Sequence, residues 1–449
     1  MDHEPSQQPN TQKLHLLPFL FPITIQKEVK YALCFLLLLL SSFVIFNLVT
    51  PVDSQFIFGI GFFSQILPNN QKSSLGGCDY SNGRWVWDES YSLESYTENC
   101  QFLDPGFRCS RNGRKDGDYR KWRWQPKGCD LPRFNASDLL ERSRNGRIVF
   151  AGDSIGRNQW ESLLCMLAQA VSNQSRIYEV YGSPITKHKG FLSMRFHDYN
   201  LTVEYYRAPF LVFLGRPPEN SSDQIQKTIR VDELHGYSKK WIGANVFVFN
   251  AGHWWNEDKT VKMGLHFQEG GKVNMTMDTM EAFRRSLQTW KSWALQNLDS
   301  NRSHIFFRSY SPVHYRQVSD NNSRKALIIS SDPSFSYINC RNGTWDTGGL
   351  CDTDTEPETN HTKLEAEPLN NEFISNVIKQ MDYGNRSIQF LNITYLTEFR
   401  FDGHPSKYRE PGTPTPSPQD CSHWCLPGVP DTWNELLYAY LLSKGFRTK

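Results

Sequence analysis

The run Val149-Phe150-Ala151-Gly152-Asp153-Ser154, set directly before a helical pattern, constrains this 449-residue chain more than any other feature. An apolar run that ends in Gly-Asp-Ser reads as a buried strand delivering a serine to a strand-to-helix turn. There the hydroxyl is exposed and the helix N-terminus favours negative charge. Such a unit belongs to an α/β sheet, and it puts Ser154 where a nucleophile works. Far downstream, Asp420-Cys421-Ser422-His423 is an Asp-x-x-His turn, which can hold an imidazole beside its own carboxylate. Each half alone is weak. Gly-Asp-Ser is more often a turn or a helix cap, and a lone Asp-x-x-His is more often a surface hydrogen bond. Together they point to a Ser/His/Asp acyl-transfer centre.

The rest of the chain supplies a scaffold for that unit. Short β-rich runs at 148–151, 246–249, 305–307 and 388–393 have buried-strand character. Between and after them lie four helical stripes: Trp160, Leu163, Leu164, Leu167 and Val171; Met280, Phe283, Leu287 and Trp290 behind an Asp278-x-x-Glu281 cap; Phe373, Val377, Ile378 and Met381; and Trp433, Leu436, Leu437, Tyr440 and Leu441, entered through Pro430. This alternation predicts a doubly wound parallel sheet with its site at the carboxyl ends of the strands. Residues 78–135 differ, with Trp85, Trp87, Trp122 and Trp124, four cysteines and little helical periodicity. So small a segment needs disulfides and a neighbouring domain to be stable.

Charge and composition place the chain in the secretory pathway. From 31 to 52 no residue is charged and Leu36 to Leu40 is unbroken, long enough to cross a bilayer once. Lys27 and Lys30 precede this run and only Asp53 follows it before Lys72, so the N-terminus is expected in the cytoplasm. A cleaved signal peptide is the alternative, but the apolar run is long and sits behind a 30-residue leader. The expected organisation is a cytoplasmic tail (1–30), a signal anchor (31–52), a stem (53–77), a Cys/Trp-rich subdomain (78–135) and a catalytic domain (145–449). Eleven Asn-x-Ser/Thr sequons, beginning at Asn135, Asn173, Asn200, Asn220, Asn274, Asn301, Asn321, Asn342, Asn360, Asn385 and Asn392, fit a luminal body. Nine of the ten cysteines lie beyond the anchor and read as disulfides in an oxidising lumen. Zinc is the competing idea, because Cys421 and Cys425 flank His423, but no second such pair completes a tetrahedral site. Lys+Arg 49 against Asp+Glu 47 argues against a nucleic-acid partner.

Three segments carry a family resemblance: 152–159 (Gly-Asp-Ser-Ile-Gly-Arg-Asn-Gln), 250–255 (Asn-Ala-Gly-His-Trp-Trp) and 420–434, from Asp-Cys-Ser-His-Trp-Cys to Asp-Thr-Trp-Asn. They resemble the plant trichome-birefringence-like proteins, and the Cys-rich segment 78–129 resembles that family's N-terminal domain. Nucleophile first and Asp-x-x-His last is also the chain order of the SGNH/GDSL hydrolases. The resemblance implies an SGNH-like core and a Golgi-anchored O-acetyltransferase acting on plant cell-wall polysaccharides. In it Ser154 is the nucleophile, His423 the general base and then acid, and Asp420 the carboxylate that orients His423. An acetyl donor, acetyl-CoA or another acetylated carrier, is a co-substrate; no bound cofactor or metal is implied, and oligomeric state is left open. It also implies the pairs Cys78 with Cys129, Cys100 with Cys165, Cys109 with Cys425 and Cys351 with Cys421.

Other candidates surround this centre. Ser154 N–H is a natural oxyanion donor, with Asn250 or the backbone at Gly252 as a second. Gly152 and Asp153 of the turn belong to the same oxyanion or substrate-binding group, as do Arg157, which can bind a glycan or hold a loop, and His253, for which catalysis and structural hydrogen bonding stand level. His404, in Asp402-Gly403-His404-Pro405-Ser406, is the rival base. Trp254 and Trp255 are candidates for a sugar-stacking platform, though at 14% aromatic content most rings must pack the core. In related sequences Ser-Pro-Val-His-Tyr-Arg runs almost directly into Asn-Gly-Thr-Trp; here 317–341 intervenes, with Cys340 inside it. Val318-Ser319 can be encoded by a donor-like GTAAGT and Cys340-Arg341 by an acceptor-like TGCAGG. The segment is either a retained intron or a genuine loop. An acetylesterase with water as acceptor, or a glycan-binding protein with an idle site, are the alternative functions; the resemblance implies pectin or xylan as the acceptor, and 311–358, which is most similar to members associated with pectin acetylation, leans it to pectin.

Overall fold

The computed structural model describes residues 78–448 apart from 92–95, 220, 300, 316–348, 383–387 and 415–416. The tail, anchor and stem expected over 1–77 and the insertion at 317–341 lie outside the described residues. The Cys-rich segment begins with β1 (Gly83–Trp87), paired antiparallel with β2 (Trp122–Pro126). Helix α1 (Ala136–Arg142) follows, capped by Asn135 Oδ1, which accepts the Asp138 N–H at 2.9 Å.

Next come β3 (Arg147–Gly152) and α2 (Ser154–Ala168), then β4 (Ile177–Glu179), β5 (Phe191–Phe196) and β6 (Leu201–Arg207). The chain continues through β7 (Val212–Gly215), β8 (Lys227–Leu234), α3 (Ser238–Trp241), β9 (Val246–Asn250), β10 (Leu265–Glu269), β11 (Lys272–Asn274) and α4 (Thr279–Asn297). It finishes with β12 (His304–Arg308), α5 (Leu369–Lys379), β13 (Ile388–Leu391), α6 (Thr394–Glu398) and α7 (Val429–Ser443).

The main sheet has the order β13-β12-β9-β3-β6-β5-β4. Its strands β13, β12, β9, β3 and β6 are parallel, which the buried apolar runs predict. The sheet is nevertheless mixed, not wholly parallel: β5 pairs antiparallel with both β6 and β4. The physical reason is the connection from β5 to β6, a single turn at His197–Tyr199 closed by Asn200 at φ 51°. A link that short permits only a hairpin, because a parallel crossover needs a dozen or more residues. A second, mixed sheet of order β11-β10-β8-β7 was not foreseen from the sequence.

Side-chain alternation builds a core on each face of the main sheet. In β3, Ile148 and Phe150 join one core while Val149 and Ala151 join the other; β9 divides Val246 and Val248 from Phe247 and Phe249 in the same way. The first core takes in α1, α2, α7 and the Cys-rich segment, the second α4, α5 and the small sheet. Strand β3 lies between β6 and β9, so the chain leaves it toward both sides, and the crevice of such a sheet opens at the carboxyl end of that strand.

The structure holds four disulfides: Cys78–Cys129, Cys100–Cys165, Cys109–Cys425 and Cys351–Cys421, with Cα separations of 6.0, 5.9, 5.6 and 5.9 Å. These are the pairs that the family resemblance implies. Cys100–Cys165 ties the Cys-rich segment to α2, and the last two bridges hold the loop that enters α7.

Candidate active site

Ser154 opens α2 and is partly exposed, and its hydroxyl has no hydrogen-bond partner among the described residues. The turn beneath it is built by Asp153, whose Oδ1 accepts the N–H groups of Ile155 at 3.0 Å and Gly156 at 3.4 Å and the Nδ2–H of Asn250 at 2.6 Å. Burial pushes the Asp153 carboxyl up, but His253, Arg308, the Asn250 amide and the Ile155 N–H outweigh it and the group titrates below its ordinary range. The Asn250 amide lies against both glycines of Gly-Asp-Ser-Ile-Gly. A Cβ at Gly152 or Gly156 would overlap Asn250 Oδ1, and the motif's spacing is the footprint of that amide.

The second half of the site is local in sequence. His423 Nδ1–H donates to Asp420 Oδ2 at 2.9 Å, and the N–H groups of His423 and Ser422 reach Asp420 Oδ1 at 3.0 and 3.2 Å. This fixes one tautomer and leaves Nε2 as the basic nitrogen. Partial burial raises the Asp420 carboxyl, but the imidazole and the two N–H groups pull it well below the usual range. The pair is accessible, with side-chain exposures of 23% for His423 and 21% for Asp420.

The two halves are joined through Asn158, one helical turn after Ser154 on the same face of α2. Its Nδ2–H donates to Trp424 O at 3.1 Å, and its Oδ1 accepts the Trp424 N–H at 2.8 Å. Helix α2, which Ser154 opens, thus carries the backbone of the residue next to His423. No direct Ser154–His423 hydrogen bond occurs among the described residues. From the opposite side His404 Nδ1–H donates to His423 O at 2.7 Å, and its Nε2 accepts from His314 Nδ1 at 2.7 Å. His404 is 1% exposed, and burial holds its ring well below the ordinary histidine range. It is a brace for the loop and not a base. Cys421 and Cys425 sit on either side of His423, and Leu426 N–H reaches Phe107 O at 2.9 Å.

The structure reassigns several candidate oxyanion and substrate-binding residues. Arg157 is 3% exposed, and its Nη2 meets Asp104 Oδ2 at 3.1 Å and Glu161 Oε1 at 2.6 Å. It ties α2 to the Cys-rich segment, and its burial excludes it from contact with a glycan. Burial pushes Glu161 up to about 7 against the pull of Arg157. Asp153 is a buried cap, Gly152 is a strand residue whose O accepts the Ala208 N–H at 2.7 Å, and the Asn250 amide is committed to Asp153. His253 lies 4.2 Å from the Tyr310 ring in a stacked pair, and burial pushes it down to about 3, so it is neutral and too weakly basic to serve as the base. Gly252, at φ 135°, keeps a backbone N–H with no partner among the described residues, as does Ser154.

Sequence reasoning gave no role to Asn158, although its four-residue spacing from Ser154 was visible, nor to Arg308 or Lys259. Arg308 ends β12 at 1% exposure, donates from Nη1 to Ile155 O at 3.2 Å, and lies 5.0 Å from the Trp433 ring centre. Burial pushes it down to about 10, with Asp153 opposing. Of the two candidate platform rings, Trp255 is 2% exposed and packs edge-on against Phe210; only Trp254 is half-buried. The sulfurs of Cys421 and Cys425 are spent in disulfides, and no metal-holding group of His, Cys, Asp and Glu exists among the described residues.

Known families match nearly the whole described region. Residues 76–130 match PMR5N, the PMR5 N-terminal domain, and 131–328 with 320–440 match PC-Esterase, the GDSL/SGNH-like acyl-esterase family found in Pmr5 and Cas1p. The two PC-Esterase pieces meet within 317–341. The chain is 56% identical over 454 residues to Protein trichome birefringence-like 9 of Arabidopsis thaliana, covering 100% of both chains. It is 41% identical to Protein trichome birefringence-like 6 of the same plant, over 82% of this chain and 71% of that one, and 40% identical to Protein trichome birefringence, over 83% and 57%. With the domain order, the acyl-esterase motifs and full-length identity in agreement, the chain belongs to the trichome birefringence-like family.

Proposed function

We propose that this protein is an O-acetyltransferase that passes an acetyl group through Ser154 to a hydroxyl of a cell-wall polysaccharide, pectin or xylan, from a single-pass anchor in the Golgi membrane with its catalytic body in the lumen. The observation that supports this reading is the Asn158 clamp: Asn158, one helical turn after an unbonded serine at a helix N-terminus, grips the backbone of Trp424, the residue that follows the Asp420-paired His423.

In the first step His423 Nε2 takes the Ser154 proton while Oγ attacks the acetyl carbonyl of the donor, acetyl-CoA or another acetylated carrier. The N–H groups of Ser154 and Gly252 receive the developing oxyanion. Collapse breaks the bond to the carrier, which leaves with the proton from His423. In the second step a sugar hydroxyl gives its proton to His423 and attacks the serine ester, and collapse of the adduct breaks the ester bond to Ser154 Oγ, which takes that proton back from His423. Asp420 steadies the imidazolium throughout. Transfer prevails over hydrolysis when a bound hydroxyl has the advantage of proximity over water.

The test is incubation of the full-length protein in detergent with an acetyl donor and deacetylated pectic or xylan oligosaccharides. Mass spectrometry should find acetylated oligosaccharide and, on brief quenching, an acetylated peptide containing Ser154. Ser154→Ala should abolish both, and His423→Ala or Asp420→Asn should slow transfer on the order of 10³- to 10⁴-fold. Near-normal turnover in Ser154→Ala refutes the acetyl-serine route, and acetate release without transfer assigns the protein as an acetylesterase.

A further inference from the structure

A cavity of about 440 Å³ lies where the Cys-rich segment meets α2 and α7. Its size falls within the range of about 300–1,000 Å³ usual for small-molecule sites. Tyr91, Trp122 and Phe134 supply rings to its wall, and Asp431 and Glu435 of α7 supply carboxyls. Met166, also in the wall, belongs to the far end of α2, about 18 Å along that helix from Ser154, so the cavity is not the acyl-transfer site. Asn135 and Ser137, the two ends of the Asn135-Ala136-Ser137 sequon, line the same cavity and are exposed.

The polar groups of this wall are incompletely paired. The Tyr91 hydroxyl donates to Glu435 Oε2 at 2.9 Å, which leaves Glu435 Oε1, on a residue 6% exposed, with no hydrogen-bond partner among the described residues. The Tyr119 hydroxyl and Trp122 Nε1–H, on two other residues of the wall, are likewise buried without partners. Asp431 is by contrast satisfied, by the hydroxyls of Tyr96 and Ser162 and by the Gly428 N–H. Burial pushes Glu435 up to about 8, and below that pH its carboxyl is neutral and can donate as well as accept. An apolar occupant would leave these groups unpaired, which is costly; a neutral sugar offers hydroxyls to them and its ring faces to the aromatic side chains.

Asn135 presents the atom to which such a sugar is attached. Its Oδ1 is spent on the Asp138 N–H at 2.9 Å, while its Nδ2 makes no hydrogen bond among the described residues. We propose that Asn135 carries an N-linked glycan whose first sugars lie in this cavity and join the Cys-rich segment to α7. The glycan arrives on a lipid diphosphate: Asn135 Nδ2 bonds to C1 of the first N-acetylglucosamine, the bond from C1 to the phosphate oxygen breaks, the diphosphate leaves with that electron pair, and the amide gives up one proton. Tethered at the cavity's own rim, the sugars need only weak contacts to stay in place. Pro427 and Gly428, which also line the cavity, follow the His423 loop, so the seated glycan braces the chain between that loop and α7. The proposal rests on the luminal placement of the body and not on acetyl transfer.

The experiment uses the full-length protein made in plant cells, with its glycans held in the high-mannose form. Peptide mapping should find a glycan on Asn135. An endoglycosidase that cuts between the first two N-acetylglucosamines should release it about tenfold or more slowly from folded than from denatured protein, because cleavage waits on local opening. Ser137→Ala removes the sequon but keeps the Asn135 cap and puts a good helix former at an exposed position, a change of little consequence in itself. It should lower the melting midpoint by a few degrees, and Ser137→Thr, which keeps the sequon, should not. Equal release from folded and denatured protein, an unchanged midpoint in Ser137→Ala, or a bare Asn135 beside glycans on other sequons overturns the proposal alone. A chain with no glycan on any sequon would overturn the luminal placement as well.

Discussion

Asn158→Ala is the sharpest probe of how this site is assembled. The Asn158 amide is fully buried and bonds twice to one backbone, donating to Trp424 O at 3.1 Å and accepting from Trp424 N–H at 2.8 Å. Truncation leaves two buried backbone groups unpaired, at about 1–3 kcal/mol each. The lower end applies, because the Trp424 ring keeps its own anchor, Nε1–H to Ser311 Oγ at 3.0 Å, and two disulfides still hold the loop. The protein should therefore stay folded, with a melting midpoint a few degrees lower. His423 precedes Trp424 directly, and a displacement of about 1 Å in a reacting group costs on the order of 10²-fold in rate. The assay is release of p-nitrophenol from its acetate ester, with kcat and KM resolved, alongside thermal unfolding. The expected outcome is a kcat lower by roughly 10²-fold at little-changed KM. Gln159→Ala is the comparison, since it cuts a buried tie of the same helix to Asn434 on α7, at 3.2 Å, and leaves the base loop alone. It should lower stability and spare kcat. Unchanged kcat in Asn158→Ala, or equal loss in Gln159→Ala, refutes the positioning role.

Two further outcomes follow from charge and from covalent structure. Burial pushes Glu435 up to about 8 and Asp431 up to about 6, so the folded protein binds protons that the unfolded chain releases as pH rises. Their contribution is complete below the ordinary carboxylate range and is lost as pH climbs through about 8. Glu435→Gln, which can still accept the Tyr91 hydroxyl now at 2.9 Å from Glu435 Oε2, should flatten the fall in melting midpoint between about pH 5 and 8; an unaltered slope refutes the assignment. Replacing Cys109 and Cys425 together by Ala should cost about 2–5 kcal/mol and lower transfer more than loss of Cys78–Cys129 does. Finding both cysteines as free thiols by non-reducing peptide mapping removes that expectation.

What could be read from the sequence was what is encoded locally. Two-residue alternation and a helical stripe beside Gly152-Asp153-Ser154 are enough to foresee β3 and α2, and an i,i+3 spacing is enough to foresee the Asp420–His423 pair. The open points lie where a partner is remote. Arg157 could be read as binding a glycan or holding a loop, and what decides for the loop is Asp104, 53 residues away, beside the local Glu161. Asn250 reads as an oxyanion donor next to Ser154, but its amide is committed to Asp153, 97 residues away. Asn158 pairs with a backbone 266 residues downstream, which its spacing from Ser154 does not disclose. Trp254 and Trp255 stand in a loop after β9, where no period tells which ring faces the core. The pairing of β5 with β6 depends on a turn held by Asn200 at a positive φ, a signal carried by one residue.

The Cys109–Cys425 bridge spans 316 residues and has a consequence in time. A ribosome delivers Ser154 well before His423. During that interval the Cys109 thiol stays single, Phe107 O lacks the Leu426 N–H, and the Asn158 amide has no Trp424 to grip. Ser154 is then already made, while His423, the base of the proposed cycle, is not. On the proposed cycle, synthesis itself would act as a safety catch, since a nascent or truncated chain has no base for acyl transfer until its final loop is threaded back onto its beginning.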